Sequence, residues 1–193
     1  CLPIRQFFQK ENQWFEKKIQ IDYEKSLMKI IDKKIYDSKI LKSIKKYNSD
    51  EVLEISKSRE NYFNLICKYI NTVGGLIIII DYGYFQRPSH FTLQSVFNNK
   101  MSNILDNAGQ QDITSLVDFK TLIELAKKNK LKTDIFCTQR EFLLNYGIIE
   151  RSKIILKNST KKQKEMIENG IKRIINKNNM GSLFKVLVLS KKI

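Results

Sequence analysis

An acidic and an aromatic residue stand directly behind the most apolar run of the chain. The run Leu76–Ile80 is short and rich in β-branched residues, and it is followed by Asp81, Tyr82 and Gly83. It is too short to span a bilayer and predicts a strand buried on both faces, as in a parallel α/β sheet. Because ligands of open α/β sheets bind outside the carboxyl ends of the strands, these three residues are the first functional candidates.

Several other chemistries lack the residues they need. The single histidine, His90, cannot build a His-rich metal site, and no Ser-His-acid set has a recognisable spacing. Gly74 and Gly75 precede their strand, whereas a glycine loop that cradles a cofactor follows a strand and opens a helix. The three cysteines, Cys1, Cys67 and Cys137, lack metal-ligand spacing, so we expect reduced thiols in a cytoplasm-like compartment.

The elements before this strand are predicted from local patterns. Two β-prone runs, Arg5–Gln9 and Trp14–Ile21, predict an N-terminal hairpin. Residues 22–47 carry apolar side chains at helical spacing among many lysines and predict a partly exposed helix with a loop. A stronger helix follows from Asp50 to the glycines before the strand, with one predicted buried face: Tyr62, Leu65, Ile66, Tyr69 and Ile70.

After the strand, residues 84–115 predict a long loop whose most regular pieces are residues 91–96 and 110–114. Helix signals then return. Asp118 is placed to cap a helix that runs to Lys128, and residues 138–141 and 160–163 each have the spacing of a capping box. The last helix is predicted to bury an apolar stripe: Met166, Ile167, Ile171, Ile174 and Ile175. Residues 132–137 and 183–189 predict two further strands.

The chain has 193 residues, of which 42% are hydrophobic, enough for one compact core. It shows no signal peptide and no long apolar segment, so we expect no membrane insertion. Its net charge of +15 raises a nucleic-acid hypothesis, but only six of the 35 basic residues are arginines and the lysines are scattered. We therefore favour solvated lysines over a nucleic-acid face.

Short motifs along the chain carry a resemblance when they are taken in order. They are Leu2-Pro3-Ile4-Arg5-Gln6-Phe7, Gly74-Gly75 through Asp81-Tyr82-Gly83, Thr92-Leu93-Gln94, Asp112-Ile113-Thr114 with Val117-Asp118-Phe119, Thr138-Gln139 with Phe142-Leu143, Gly147-Ile148, and Met180 to Leu187. Their order and spacing resemble the C-terminal half of the MidA family of S-adenosylmethionine-dependent methyltransferases. The mitochondrial members of that family are complex I assembly factors that methylate an arginine on one of its subunits.

The resemblance implies an α/β fold, the C-terminal part of a Rossmann-like class I methyltransferase sheet with an N-terminal β-hairpin and added helices. Residues 1–193 would form a single partial domain that supplies the last three strands, the final one inserted antiparallel between the other two. The residues that bind S-adenosylmethionine are expected in an N-terminal half that this chain lacks. A bacterial member would be cytoplasmic and a eukaryotic member would be in the mitochondrial matrix.

The resemblance also suggests how a protein arginine would be held. Asp81 and Asp112 are our candidates for carboxylates that hold the guanidinium, with Tyr82, Gly83, Thr114 and Gln139 shaping the acceptor side. Ordinary roles stay open, since Asp81 could satisfy loop amides, Asp112 could cap a turn and Gln139 could simply begin a helix. Two other functions also stay open: a non-catalytic remnant or protein-interaction module, and nucleic-acid binding through the lysines.

Overall fold

The computed structural model describes residues 2–25, 27–45, 47 and 52–191. These residues form two compact units. The first unit contains the described residues up to Asn61 together with Gln86–Leu116, and the second contains Tyr62–Phe85 and the described residues from Val117 onward. Cys1 lies outside the described residues, so the prediction for its thiol is not addressed by the structure.

The first unit is built on an antiparallel sheet of four strands in the order β3-β2-β1-β4. The strands are β1 Arg5–Lys10, β2 Gln13–Asp22, β3 Leu27–Lys34 and β4 Leu53–Ile55. β1 and β2 form the predicted hairpin, with Glu11 and Asn12 both at positive φ in the two-residue turn. The core of this unit is apolar: Phe7, Trp14, Ile35, Ile44 and Leu53.

The predicted helix over residues 22–47 is wrong for its first half. Residues 27–34 are strand β3, which pairs with β2 along its whole length, and among the described residues of this segment only α1, Ser38–Ile44, is helical. The Asp37 side chain caps α1 by accepting from the amides of Lys39 and Ile40. The helical spacing of apolar residues in this segment was a local signal, and pairing with a distant strand overrode it.

Part of the predicted long loop is also strand. Within residues 84–115 the structure has β6 Gln94–Phe97, β7 Lys100–Ser102 and β8 Asp112–Thr114, in the order β7-β6-β8. The regular piece predicted at residues 110–114 thus contains β8, whereas the one predicted at residues 91–96 only overlaps β6. All three strands belong to the first unit.

The second unit contains a sheet in the order β10-β11-β5-β9. The strands are β5 Leu76–Tyr84, β9 Val117–Asp118, β10 Leu131–Thr138 and β11 Phe184–Lys191. β11 runs antiparallel to both of its neighbours, β10 and β5, which confirms the predicted insertion of the last strand between the other two. β9 pairs in parallel with the last two residues of β5, Gly83 and Tyr84.

Helices cover both faces of this sheet. They are α2 Lys57–Val73, α3 Phe119–Lys128, α4 Gln139–Asn145, α5 Ile148–Lys157, α6 Lys161–Ile175 and α7 Met180–Leu183. On one face, α2 and α3 pack a core with Leu187 and Leu189 of β11. On the other face, α4 and α7 pack against β11, where Val186 and Val188 are buried. No helix among the described residues is long and apolar enough to cross a membrane.

Three predictions of burial were wrong in the second unit. In β5, Leu76, Ile78 and Ile80 are about half exposed, so the strand is not buried on both faces. In α2 the core side is formed by Phe63 and Cys67, and the predicted buried residues Tyr62, Leu65 and Tyr69 are exposed. In α6, Met166 is exposed and no residue is fully buried.

Candidate functional site

Asp81 and Tyr82 lie inside β5 rather than behind it, because the strand continues to Tyr84. The antiparallel register with β11 places Asp81 opposite Lys185 and Tyr82 opposite Phe184. The Tyr82 and Phe184 rings meet edge to face with their centroids 5.5 Å apart. The Asp81 carboxylate accepts a hydrogen bond of 2.8 Å from the backbone N–H of Tyr82. The acidic and aromatic candidates are therefore held against the first residues of β11.

Lys185 is a site residue that the sequence did not single out. It lies between Asp81 of β5 and Thr138 of β10 in the register of the three strands. Its ammonium donates to the backbone carbonyls of Ser182 and Leu183. Desolvation lowers the pKa of Lys185, while the charge of Glu141 acts in the opposite direction. A partly desolvated cation therefore stands beside the candidate acceptor-holding carboxylate.

Gly83 is buried where two segments approach closely. A Cβ at this position would lie 2.3 Å from the backbone oxygen of Val117 and 2.7 Å from the ring of Phe119. The backbone of β5 can reach β9 only because residue 83 has no side chain. The structure thus explains Gly83 by packing at the carboxyl end of the strand.

Gln139 is the first residue of α4, next to the Thr138 cap. Its side chain is buried, and its amide donates to the carbonyl oxygen of Ile174 over 2.8 Å. Arg140 donates to the next carbonyl, that of Ile175, over 2.6 Å. Both side chains satisfy carbonyls in the last turn of α6, which the helix itself leaves without partners. Gln139 therefore ties two helices together at this end of the sheet.

Asp112 and Thr114 belong to the first unit, in β8. Asp112 is exposed and lies opposite Val96 of β6. The Thr114 hydroxyl oxygen accepts from the Gln94 side-chain amide over 3.3 Å. The structure thus groups Asp81, Tyr82, Gly83 and Gln139 in one unit, and Asp112 with Thr114 in the other.

A buried carboxylate of the first unit that the sequence did not single out, Glu54, accepts four hydrogen bonds. It is buried and accepts from Gln6 Nε2 at 2.7 Å, from the backbone N–H of Thr92 at 3.0 Å and from that of Leu93 at 3.2 Å. The Thr92 hydroxyl also donates to Glu54 and accepts from the N–H of Leu116. Gln6 and Thr92 both belong to motifs of the family resemblance, and Glu54 is where those motifs meet.

An open cleft of about 830 Å³ lies in the second unit near the start of β11. Its lining is rich in basic and amide side chains: Arg173, Lys177, Asn178, Asn179, Met180, Ser182, Leu183 and Lys185. A cleft with this lining attracts anionic groups and repels a guanidinium.

Two thiols are described, and both are free. Burial raises the pKa of Cys67 to about 11. Burial also raises the pKa of Cys137, and the charge of Glu141 acts in the same direction. The described residues include no group of three or more His, Cys, Asp or Glu side chains that could hold a metal ion.

The described residues do not provide a glycine-lined cradle for an adenosyl cofactor. The strand-to-helix junctions of the second unit, at Asp118 and at Thr138, contain no glycine. Their capping side chains already accept from the amides of Thr121 and Glu141 at the helix starts. A cofactor loop needs glycines to allow close approach of the backbone, followed by an open helix N-terminus. The part of this chain that the structure describes therefore does not fit S-adenosylmethionine by itself.

Residues 1–137 match a family described as "putative S-adenosyl-L-methionine-dependent methyltransferase". The chain belongs to this methyltransferase family. Two curated relatives are named protein arginine methyltransferase NDUFAF7 or its homolog, both mitochondrial. The Caenorhabditis elegans protein is 29% identical over 176 residues, covering 88% of this chain and 41% of the relative. The Danio rerio protein is 27% identical over 192 residues, covering 96% of this chain and 44% of the relative.

Two solved structures from Burkholderia thailandensis share the fold. One, an uncharacterized superfamily protein, matches with a TM-score of 0.85 at 22% identity and covers 98% of this chain. The other, solved with bound S-adenosyl-homocysteine, matches with a TM-score of 0.82 at 21% identity. The chain spans 52% and 50% of these two structures. It also spans less than half the length of the two curated relatives, so it corresponds to only part of a MidA-family protein.

Proposed function

We propose that this chain is the C-terminal half of a methyltransferase that modifies a protein arginine, and that it acts together with an N-terminal half that binds the cofactor. The names of the curated relatives support the arginine acceptor. The lack of a glycine-lined cradle among the described residues supports the division of labour. The location would follow the relatives, mitochondrial in a eukaryote and cytoplasmic in a bacterium. The acceptor would resemble a subunit of respiratory complex I.

The observation that carries this proposal is the position of Asp81 in the last half of β5, opposite Lys185 of β11. A carboxylate binds a guanidinium through charge-assisted hydrogen bonds and thereby fixes its orientation. Methyl transfer gains most of its rate from such placement, because little covalent help from the protein is needed. Tyr82, whose ring packs on Phe184, points to the opposite face of the strand from Asp81 and is proposed as a separate contact on the acceptor side. Asp112 and Thr114 of the first unit are proposed as a second group of acceptor contacts.

Lys185 tunes the charge of this site in the proposed mechanism. It stands directly opposite Asp81 in the sheet. A cation on the neighbouring strand would lower the affinity of this carboxylate for an arginine, so only an acceptor with good geometry would be held. The basic cleft that Lys185 helps to line would attract acidic residues that flank the acceptor arginine. The proposed substrate is accordingly an arginine in an acidic sequence context.

Labelled methyl transfer tests the site in the assembled enzyme. The chain is combined with the N-terminal half of the Caenorhabditis elegans relative, and transfer to an arginine-containing acceptor is measured. We expect Asp81→Asn to reduce transfer by a factor of about 10 to 100, the usual scale for losing one charge-assisted contact to the reacting group. Asp32→Asn is the matched control, because Asp32 is an exposed strand residue paired with Lys17. Equal activity of the two variants would refute the role of Asp81, and Asp112→Ala tests the second carboxylate in the same way.

An interaction module without catalysis is the second candidate. It is favoured by the same lack of a cofactor cradle, since a chain that cannot bind the cofactor alone could still bind an acceptor protein. Both candidates assume that this chain alone does not bind S-adenosylmethionine, and calorimetric titration of the chain with this cofactor tests that assumption. Binding by this chain alone would contradict the proposed division of labour. If the assembled halves bind the cofactor but never transfer a methyl group, the interaction module becomes the better description.

A further inference from the structure

Strands β2 and β3 extend beyond the rest of their sheet as a two-stranded arm. β1 pairs with β2 only from Gln13 to Glu16, whereas β3 pairs with β2 as far as Asp22. We name residues 17–22 and 27–32 the β2–β3 arm. Neither edge of this arm has a partner strand among the described residues. Because an isolated pair of strands is at best marginally stable in water, we expect such an arm to rest on another surface.

One face of the β2–β3 arm carries an exposed apolar cluster. Ile19 lies opposite Ile30, and Ile21 lies opposite Met28, so the four side chains are neighbours on the same face. Their exposures are 57% and 40% for the first pair and 46% and 37% for the second. An antiparallel sheet normally packs its apolar face on a core and turns its polar face to water. The apolar cluster is therefore the side of the arm on which we expect a contact.

At the base of the arm, the same face is covered by an aromatic layer. Phe8 and Phe15 stack with their ring centroids 5.6 Å apart, and Phe91 meets Phe8 edge to face at 6.1 Å. The Lys17 ammonium lies 5.1 Å from the Phe8 centroid and 5.5 Å from the Phe91 centroid, and it pairs with Asp32 at 2.9 Å. The aromatic layer thus ends at Lys17, and the apolar cluster begins at the next pair of residues on this face.

The opposite face of the arm is polar and basic. Side chains alternate between the two faces of a strand, and this face exposes three polar residues: Lys18, Gln20 and Lys29. Leu27, near the tip, is an apolar exception. Residues 17–34 contain six lysines and three acidic residues, in a chain with a net charge of +15. Two of the acidic residues, Asp22 and Glu24, lie at the tip, so the positive charge is concentrated along the body of the arm.

The size and charge of the arm favour a lipid surface over a protein partner. A stable protein interface uses about 20 to 30 residues on each side, whereas the apolar cluster has four side chains. A second copy of this chain would also bring a second net charge of +15 to the contact. Binding to a membrane has no such minimum size, because it grows with the buried apolar area and with the attraction of lysines to anionic headgroups.

We infer that the β2–β3 arm binds the surface of an anionic membrane, with its apolar cluster at the boundary between headgroups and acyl chains and its lysines at the level of the phosphates. The open strand edges would stay among hydrated headgroups, since unpaired backbone groups are excluded from the hydrocarbon core. Tyr23 at the tip is 84% exposed and is a residue type enriched at membrane interfaces. The inference is independent of the proposed function, because it concerns only the first unit and no step of methyl transfer.

Vesicle sedimentation with matched variants tests this inference. The chain is mixed with vesicles of phosphatidylcholine that contain either no anionic lipid or about one third phosphatidylglycerol, and the bound fraction is measured. The double variant Ile19→Gln with Ile30→Gln on the arm is compared with Ile154→Gln with Ile155→Gln on α5. These pairs are matched, because the exposures are 57% and 40% on the arm and 59% and 41% on α5. All variants are first shown to unfold cooperatively in urea.

Two single replacements provide milder tests that do not depend on the apolar cluster. Tyr23→Ser at the tip is compared with Tyr36→Ser, whose side chain is 79% exposed. Lys29→Gln on the arm is compared with Lys153→Gln on α5, and both lysines are exposed. Each lysine variant lowers the net charge by the same amount, so a difference between the two reports the position of the charge and not the total.

We expect the parent chain to bind the anionic vesicles at least about tenfold more strongly than pure phosphatidylcholine, with binding weakened by salt. The double isoleucine variant of the arm should lower the partition coefficient for anionic vesicles at least about tenfold, because buried apolar area is lost. Tyr23→Ser and Lys29→Gln should each lower it about two- to fivefold, and the control variants less than about twofold. Hydrogen exchange of residues 17–22 and 27–32 should slow when anionic vesicles are added.

Several outcomes would overturn the inference. The parent chain could fail to bind anionic vesicles, bind both vesicle types equally, or bind with no difference between the arm variants and their controls. A dimer without vesicles that the double isoleucine variant of the arm dissociates would identify a second copy as the occupant. The chain is also combined with the N-terminal half of the Caenorhabditis elegans relative. Slower exchange of the arm in that mixture without vesicles, together with loss of vesicle binding, would identify a protein as the occupant.

Discussion

Replacement of Glu54 is the most direct test of how the family motifs are held together. The carboxylate of Glu54 receives four hydrogen bonds, one from Gln6, two from backbone amides at Thr92 and Leu93, and one from the Thr92 hydroxyl. Glu54→Ala removes every acceptor at once and leaves a cavity. A buried donor without a partner costs about 1 to 3 kcal/mol. With two backbone amides among the four donors, we expect the free energy of unfolding to fall by about 3 to 6 kcal/mol.

Glu54→Gln should be far milder. The amide oxygen can take the position of Oε1 and keep three of the four donors, and only the contact with the Thr92 hydroxyl changes. We expect a loss of about 1 kcal/mol, or about 2 to 4 °C in Tm for a chain of this size. Glu24→Ala at an exposed position is the control and should lie within about 0.5 kcal/mol of the parent protein.

The assay is urea unfolding followed by circular dichroism, with Thr92→Val completing a double-mutant cycle with Glu54→Gln. Because the two side chains share a hydrogen bond, their coupling energy should be at least about 0.5 kcal/mol. A loss below about 1 kcal/mol for Glu54→Ala would refute the reasoning, since four buried donors would then have found other partners. Additivity in the cycle would show that the contact between Thr92 and Glu54 contributes nothing measurable.

Three further predictions follow from the packing and the charges. Gly83→Ala should lower the free energy of unfolding by about 1 to 3 kcal/mol, because a Cβ at this position has no space. Gly170→Ala, in the middle of α6 where a Cβ meets no other atom, should raise the free energy of unfolding by about 0.5 to 1 kcal/mol. Although burial pushes the pKa of Glu16 upward, hydrogen bonds from Arg5 and Lys18 outweigh it and hold the pKa below its ordinary value. The stability that Glu16 contributes is therefore complete above its unfolded pKa and is lost as the pH falls through its folded pKa. The free energies of unfolding of the parent and of Glu16→Gln, measured in urea, should differ near neutral pH and converge in acid. Cys67, with a pKa of about 11, should resist iodoacetamide in the folded protein and react on unfolding, as followed by peptide mass mapping.

Each of these three has an outcome that would contradict it. Equal stability of the two glycine variants would mean that the backbone at residue 83 shifts at no cost. A constant difference between the parent and Glu16→Gln down to acid pH would mean that the Glu16 pKa is not lowered by folding. Labelling of Cys67 in the folded protein at the rate of an unfolded peptide would mean that this helix opens readily.

Sequence reasoning succeeded where the physics is local. The capping boxes at Thr138 with Glu141 and at Thr160 with Gln163 form as predicted, and Asp118 caps α3. In each case the donor and the acceptor are three residues apart, so the spacing contains the whole interaction. The N-terminal hairpin was predictable for the same reason, because a two-residue turn sets the register of its strands.

Contacts between residues far apart in the sequence could not be predicted from local spacing. β3 is a strand because β2 is there to pair with it, and its own apolar spacing favoured a helix. Lys185 lies opposite Asp81 through a strand register that joins residues about a hundred positions apart, so only the resemblance gave the order of these strands. Glu54 meets Gln6 and Thr92 across separations of 48 and 38 residues. Roles for Asp81, Asp112, Tyr82, Gly83, Thr114 and Gln139 in binding an acceptor stay predictions, as does the single partial domain over residues 1–193.

The failed predictions of burial are of two kinds, and the difference bears on function. Met166 is the one exposed large apolar side chain of α6, and isolated exposed apolar side chains are common on protein surfaces. On β5 and α2 several exposed apolar residues instead recur at strand and helix spacing: Leu76, Ile78 and Ile80, and Tyr62, Leu65, Tyr69 and Val73. Seven apolar side chains would leave such a surface prone to aggregation if water were its normal neighbour. The apolar run Leu76–Ile80 led to the prediction of a strand buried on both faces, but burial along β5 alternates, so one face of the strand packs into the core and the other is about half exposed.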